Sequence, residues 1–141
     1  MILLDTNVVA ELMKSAPDPK LTDWVAIRPS ASLFTTTITE AELRYGVALL
    51  PPGRRRDKLT TALGLMLTED LAGRILPFDS ASAIAYATIA SDRRKAGRPI
   101  SQLDAQIASI AMSRGASVAT RNVPDFEGCG IAVINPWEAQ P

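Results

Sequence analysis

Three carboxylates are spaced so that a folded α/β chain could gather them. Asp5 ends a short apolar run, and Glu42 and Asp104 lie near the starts of two later helical stretches. Carboxylate oxygens are hard ligands suited to Mg²⁺ or Mn²⁺. A divalent cation set among converging acids offsets their repulsion, binds a phosphate oxygen and lowers the pKa of a bound water. If the three converge, the reaction class they support is hydrolysis of a phosphodiester by activated water. Each acid also has a plain structural reading. Asp5 could cap the helix that follows it, Glu42 could be the reciprocal partner of Thr39, and Asp104 could be a favourable charge near a helix N-terminus. Spacing alone leaves both readings open.

Absences narrow the chemistry. The 141 residues contain no histidine, which excludes Ser-His-Asp and Cys-His machinery and any His-ligated zinc site. Neither GxxxxGK[ST] nor GxGxxG occurs, so nothing signals a P-loop or a dinucleotide fold. Cys129 is the one cysteine; it can form neither an internal disulfide nor a multi-cysteine zinc site, which fits a reducing compartment. It lies in Gly128-Cys129-Gly130, a tight-turn pattern, with no basic residue flanking it closely, so a reactive thiol is not expected.

The elements that must position the acids alternate along the chain. Ile2 to Leu4 reads as a buried strand, and Thr6 or Asn7 offers a capping oxygen for a helix to about Lys14. A second helix runs from Lys20 to about Ile27, and a strand from Leu33 to Thr37. Thr39 to Glu42 has the capping-box pattern, which puts Glu42 in the first turn of a helix carrying Leu43, Val47 and Leu50. Pro51-Pro52-Gly53 stops that helix, and the next runs from about Arg55 to Leu71. Arg74 to Phe78 is a strand that Pro77 shortens or confines to an edge. Ser80 to Lys95 is a helix with Ile84, Ala87 and Ser91 in register. Ser101 then caps a helix whose apolar face is Leu103, Ile107, Ile110 and Ala111, ending at Arg114-Gly115. Ser117 to Thr120 and Ile131 to Ile134 are the last strands, joined by a segment too short for a full crossover helix. Such alternation predicts a mostly parallel sheet of about five strands covered on both faces, with the active crevice at the strands' carboxyl ends.

With 47% apolar and 21% charged residues the composition is that of a globular protein, read as one unit with flexibility expected only at the extreme C-terminus. Fifteen basic residues balance fifteen acidic ones, so net charge points to no polyanionic partner. Two local clusters, Arg54-Arg55-Arg56 with Lys58 and Arg93-Arg94-Lys95 with Arg98, either meet a phosphate backbone or decorate solvated helix faces. No signal-type start or membrane-length apolar run is present, and a soluble, cytoplasmic protein is expected.

Five stretches occur in a telling order: Leu3-Leu4-Asp5-Thr6-Asn7; Ile38-Thr39-Glu40-Ala41-Glu42-Leu43-Arg44-Tyr45-Gly46; Leu103-Asp104-Ala105-Gln106-Ile107-Ala108; Ala119-Thr120-Arg121-Asn122-Val123-Pro124-Asp125-Phe126; and Asn135-Pro136-Trp137. In order and spacing they resemble the PIN-domain ribonucleases, in particular the VapC-type toxins of type II toxin–antitoxin pairs and their FitB-like branch. The resemblance runs from Met1 to Trp137. It implies a single PIN domain over residues 1–141, folded as a three-layer α/β/α sandwich around a mostly parallel sheet. It also implies a Mg²⁺- or Mn²⁺-dependent endoribonuclease with Asp5, Glu42 and Asp104 as metal ligands. Some relatives carry a fourth acid two residues after the last-motif threonine; here that position is Asn122, and Asp125 is the alternative acid of the catalytic set.

By the same resemblance Thr6 and Thr120 would hydrogen-bond a ligating carboxylate or water, or else be satisfied strand-end hydroxyls. Asn122 would orient water or hold the backbone. Arg121 and Arg44 would contact phosphate, or pair with a neighbouring acid. The implied partners are an RNA substrate, a second copy of the chain, and a cognate antitoxin. That antitoxin would be a small DNA-binding protein of ribbon-helix-helix or AbrB-like type whose tail covers the acidic pocket, and operator DNA would be reached only through it. Two rivals stand beside this reading. In one the chain is a weakly active or inactive partner of the antitoxin acting in operon autoregulation. In the other Asp5 is the covalent nucleophile of a phosphohydrolase, against which Asn7 stands where such sites often place a second aspartate.

Overall fold

Alternation along β1 (Ile2–Leu4) sends successive side chains to opposite faces of a sheet. Leu3 is buried in the core on one face and Leu4 in the core on the other. The structure is a computed structural model and describes residues 1–138; the expectation about the extreme C-terminus falls on residues 139–141, outside those described. The other strands are β2 (Leu33–Thr36), β3 (Ile75–Leu76), β4 (Ser117–Ala119) and β5 (Val133–Ile134). They lie in the order β3-β2-β1-β4-β5 and every pair is parallel. β3 sits at an edge, as Pro77 next to it requires.

Chain order runs outward from β1 to β3, then returns to β4 on the far side of β1. The sheet therefore has a switch point between β1 and β4, where a crevice opens beyond the strands' carboxyl ends. Helices α1 (Thr6–Leu12), α2 (Pro19–Ala26), α3 (Thr37–Ala48) and α4 (Arg54–Leu65) contribute Val8, Val9, Leu21, Trp24, Leu43 and Leu63 to the core beneath Leu4. Helices α5 (Ser80–Lys95) and α6 (Gln102–Arg114) cover the opposite face, with Ile89, Ile107 and Ile110 packed around Leu3 and Val118. A one-turn helix, α7 (Val123–Phe126), lies between β4 and β5 and seats Phe126 in that second core. The result is the expected α/β/α sandwich.

Five local expectations need correction. The cap of α1 is Asp5 itself, whose carboxylate accepts from the Thr6 amide, rather than Thr6 or Asn7. The cap of α3 is Thr36, whose hydroxyl accepts from the Thr39 amide at 3.1 Å, so Thr39 is not a cap and Glu42 lies in the second turn. The helix expected to reach Leu71 leaves α geometry after Leu65 and finishes as a π-helical turn over Met66–Asp70. On α5 the exposed face holds Ile84, Ala87 and Ser91, while Ser82, Ala85, Ile89 and Arg93 are buried. Small side chains let α5 lie close along α6, and Ser82 satisfies its hydroxyl on Asp79 at 2.9 Å. Leu103 on α6 is likewise exposed, whereas Ile107, Ile110 and Ala111 are fully buried. Gly115 ends α6 with φ +64°, a backbone state that glycine adopts without strain.

Candidate functional site

Asp5 leaves the carboxyl end of β1 at the switch point, and its carboxylate is buried. Oδ1 accepts from the Thr6 amide at 2.8 Å. Oδ2 accepts from the Thr120 hydroxyl at 2.8 Å and from Asn7 Nδ2 at 3.1 Å. A carboxylate has about four acceptor directions, so this hydrogen bonding leaves one on Oδ1. Burial raises the Asp5 pKa; the bonds from Thr120 and Thr6 work against that, and the negative charge of Glu42 adds to it.

Asn7 is a brace, a role that the sequence did not suggest; there it was a candidate cap and the residue standing where a phosphohydrolase would place a second aspartate. Its Nδ2 reaches both Asp5 and Thr120 Oγ1, the latter at 3.1 Å, and its Oδ1 accepts from the Arg121 amide at 3.0 Å. It ties the end of β1 to the end of β4 across the switch point. An Asn two residues after a strand-end acid was the one signal available. We predict that Asn7→Ala costs about 2 kcal/mol of stability through these lost bonds. Denaturant unfolding measures this, and a loss under about 0.5 kcal/mol, the size of an ordinary surface substitution, would remove the brace.

Glu42 is held from α1. Thr6 Oγ1 is 2.8 Å from Glu42 Oε1 and 3.2 Å from the buried Thr39 Oγ1. A hydroxyl has one proton to give; if the carboxylate takes it, Thr39 donates to Thr6. Glu42 is thus joined to the residue beside Asp5, and the capping-box explanation of its position falls. Thr120, fully buried, donates to Asp5 and accepts from the Asn122 amide at 3.0 Å.

Asp104 is the third residue of α6, half-buried, with its amide bonded to Ser101 Oγ at 3.2 Å. α6 packs against α3, which brings the Asp104 and Glu42 helices together. Burial raises the Asp104 pKa, the Ser101 hydroxyl pulls it down, and the charges of Asp5 and Asp125 push it up again. The helices carrying Glu42 and Asp125 both pack against the Asp104 helix. Among the described residues no three His, Cys, Asp or Glu side chains already stand close enough to share one ion. The donors fit a hard cation by chemistry and by the open acceptor direction on Asp5; coordinating one requires the side chains to draw inward.

The other expected residues divide. Asn122 is exposed and makes no side-chain cap on α7. Arg121 stacks its guanidinium 3.9 Å from the Trp137 ring, with its amide on Asn7. Arg44 pairs with Glu40 at 2.8 Å on the exposed side of α3, the structural alternative to phosphate contact. Arg93 is buried and belongs to no solvated face. It approaches Cys129 Sγ at 3.6 Å, so a basic residue does neighbour the thiol in space. Burial still raises the thiol pKa, in keeping with an unreactive cysteine.

A family model described as PIN domain matches residues 2–124. The plasmid stability protein StbB of Pseudomonas syringae pv. tomato is 45% identical over 99% of this chain and 100% of its own. The VapC ribonuclease Y4jK of Sinorhizobium fredii is 41% identical over 98% and 99%. Toxin FitB of Neisseria gonorrhoeae is 39% identical over 97% and 99%. Among solved structures, that of FitAB bound to an IR36 DNA fragment superposes with a TM-score of 0.91 and 37% identity, covering 100% of this chain and 99% of the other.

Proposed function

The chain belongs to the PIN-domain family, and from that premise we propose that it is the toxin of a type II toxin–antitoxin pair, an endoribonuclease dependent on Mg²⁺ or Mn²⁺. The observation that supports this reading is the buried Asp5 carboxylate at the carboxyl end of β1, braced by Thr120 and Asn7, with Glu42 tied to the adjacent Thr6 and the Asp104 helix packed against the Glu42 helix. Asp5, Glu42 and Asp104 would hold the cation, with Asp125 beside them. When bound, the cation supplies charge for a phosphate oxygen and an activated water. The chain's own part is orientation: Thr120 and Asn7 fix one oxygen of Asp5, and Thr6 fixes one oxygen of Glu42. Arg121, held flat on Trp137, offers a cationic plane for the RNA backbone or a base.

Cleavage of RNA needed for translation would stop growth, which is the action of a toxin. The similarity to Toxin FitB and to the FitAB–DNA structure supports a cognate antitoxin that carries the DNA contact. We assign that role to a small ribbon-helix-helix or AbrB-like protein, with operator DNA reached only through it. The toxin would act in the cytoplasm as a homodimer, alone or in a larger assembly with the antitoxin. Tyr45 in the last turn of α3 and Leu49 just past its end, both exposed, offer apolar surface to such a partner. Asn122 at the usual fourth acidic position favours, as a second reading, a weakly active partner in autoregulation.

Purified protein freed of any partner and incubated with varied RNAs separates the two. Discrete cleavage ends that require Mn²⁺ or Mg²⁺ and vanish with a chelator are expected. No cleavage of any RNA, by protein that still binds its antitoxin, would leave the autoregulatory reading in place of the nuclease.

A further inference from the structure

Arg93 is 7% exposed, yet among the described residues it pairs with no carboxylate. Burying a guanidinium costs several kcal/mol unless its donors are met, and here Nε and Nη1 are met by carbonyls. Nε donates to the Arg98 carbonyl at 2.6 Å, and Nη1 donates to the carbonyls of Asp125 at 3.0 Å and Glu127 at 2.8 Å. Nη1 also faces Cys129 Sγ. Residues 125, 127 and 129 thus each turn a polar atom inward, so the segment after α7 wraps around the cation. Gly128 makes the wrap possible at φ +76°, with its α-carbon facing the Arg93 stem. The side chain of Asp125 remains exposed while its carbonyl is fixed, and α7, which carries it, packs against α6, which carries Asp104.

We propose that Arg93 is a positioning residue for the acidic cluster: by clamping the backbone at Asp125 and Glu127 it holds the Asp125 carboxylate within reach of Asp104, supplying the fourth acid that Asn122 does not. This rests on the metal-dependent reading above. Arg93 touches neither ion nor RNA; it acts through Asp125.

The test is direct Mn²⁺ binding, followed by the free-ion spin-resonance signal, on the full chain as parent, Arg93→Lys, Asp125→Asn and the double variant, with circular dichroism to confirm folding. Each single change raises the Mn²⁺ Kd about ten-fold, the lower end of the effect of losing a group that orients a ligand. The double variant is no weaker than the weaker single one, because both act on one carboxylate. Asp125 is exposed, so its variant folds whatever becomes of Arg93→Lys. If Arg93→Lys unfolds, Gly128→Ala strains the same loop with the guanidinium in place and carries the same expectation. An unchanged Kd in Asp125→Asn, a folded Arg93→Lys with the parental Kd, or multiplying effects in the double variant would overturn the clamp while the nuclease reading stands. A parent that binds no Mn²⁺ overturns both.

Discussion

Asp5→Asn lowers kcat/KM for RNA cleavage on the order of 10³-fold, the scale on which removing one acid–base or electrostatic group acts, and the folded state survives. Asparagine caps helices about as well as aspartate, so the start of α1 keeps its bond to the Thr6 amide. What disappears is the negative charge at the switch point, together with the acceptor Oδ2, so the bonds from Thr120 and Asn7 lose their partner. Asp104→Asn has a similar effect without touching the Thr120–Asn7 brace, because the amide of residue 104 still bonds to Ser101. In cells lacking the antitoxin, both variants relieve growth arrest at equal protein abundance. An Asp5→Asn protein as inhibitory as the parent would sink the catalytic role of the cluster. Mapped RNA ends after induction, with the variant as control, identify the substrate in the same experiment.

The second large effect is on stability. Without divalent cation, the folded state holds protons on Asp5 and Asp104 more tightly than the unfolded chain does, since both pKa values are raised, mainly by burial. Their contribution is most favourable below the ordinary carboxylate range and is lost as pH rises through the folded-state values. Glu11 and Asp79, whose pKa values are lowered by hydrogen bonds from Lys14 and Ser82, run the other way and matter only at more acidic pH. Asp104→Asn, which leaves the Thr120–Asn7 brace untouched, therefore stabilises the metal-free protein at neutral pH relative to the parent, and that gain shrinks as the solution is acidified. Mn²⁺ reverses the ranking. At a hundred times its Kd, a cation bound only by the folded state adds about 2.7 kcal/mol, a rise of several degrees in Tm for a chain of this size, and the asparagine variant gains little of it. Thermal unfolding at several pH values, with and without Mn²⁺, reads both effects. Equal Mn²⁺ shifts in parent and variant would place the ion elsewhere.

Much of the site was legible before any coordinates. Asp5, Glu42 and Asp104 stood out because each followed or began an element; Asp5 does end β1 with Glu42 tied to its neighbour Thr6, and Asp104 lies on α6, which packs against the Glu42 helix. Asp125 was weighed only as a substitute for the missing acid at 122; it lies on α7 with its side chain exposed. The weaker readings concerned faces and caps. Ile84 drew the expected face of α5 to itself because it is the largest apolar residue of the early helix, yet it is 75% exposed and the helix buries serine and alanine instead. Helical period gives the spacing of a face, but which face wins depends on how closely the neighbouring helix can approach. Thr39 matched the capping pattern as well as Thr36 matches the role it holds, and local sequence contains nothing that ranks them.

The sequence by itself determined the order of strands and helices and the residue types open to chemistry, with carboxylates and hydroxyls present, a single thiol and no imidazole. Those follow from hydrophobic period, from proline and glycine stops, and from residue types that are absent altogether, all of which act within a few neighbouring positions. Only the tertiary structure decided that Thr6 holds Glu42, that Asn7 and Thr120 hold Asp5, and that a buried Arg93 holds the backbone at Asp125. These bonds join residues 36, 115 and 32 positions apart. Their partners meet because a parallel sheet with a switch point between β1 and β4 returns distant segments to one edge, and that return is a property of the packed layers rather than of any stretch of chain.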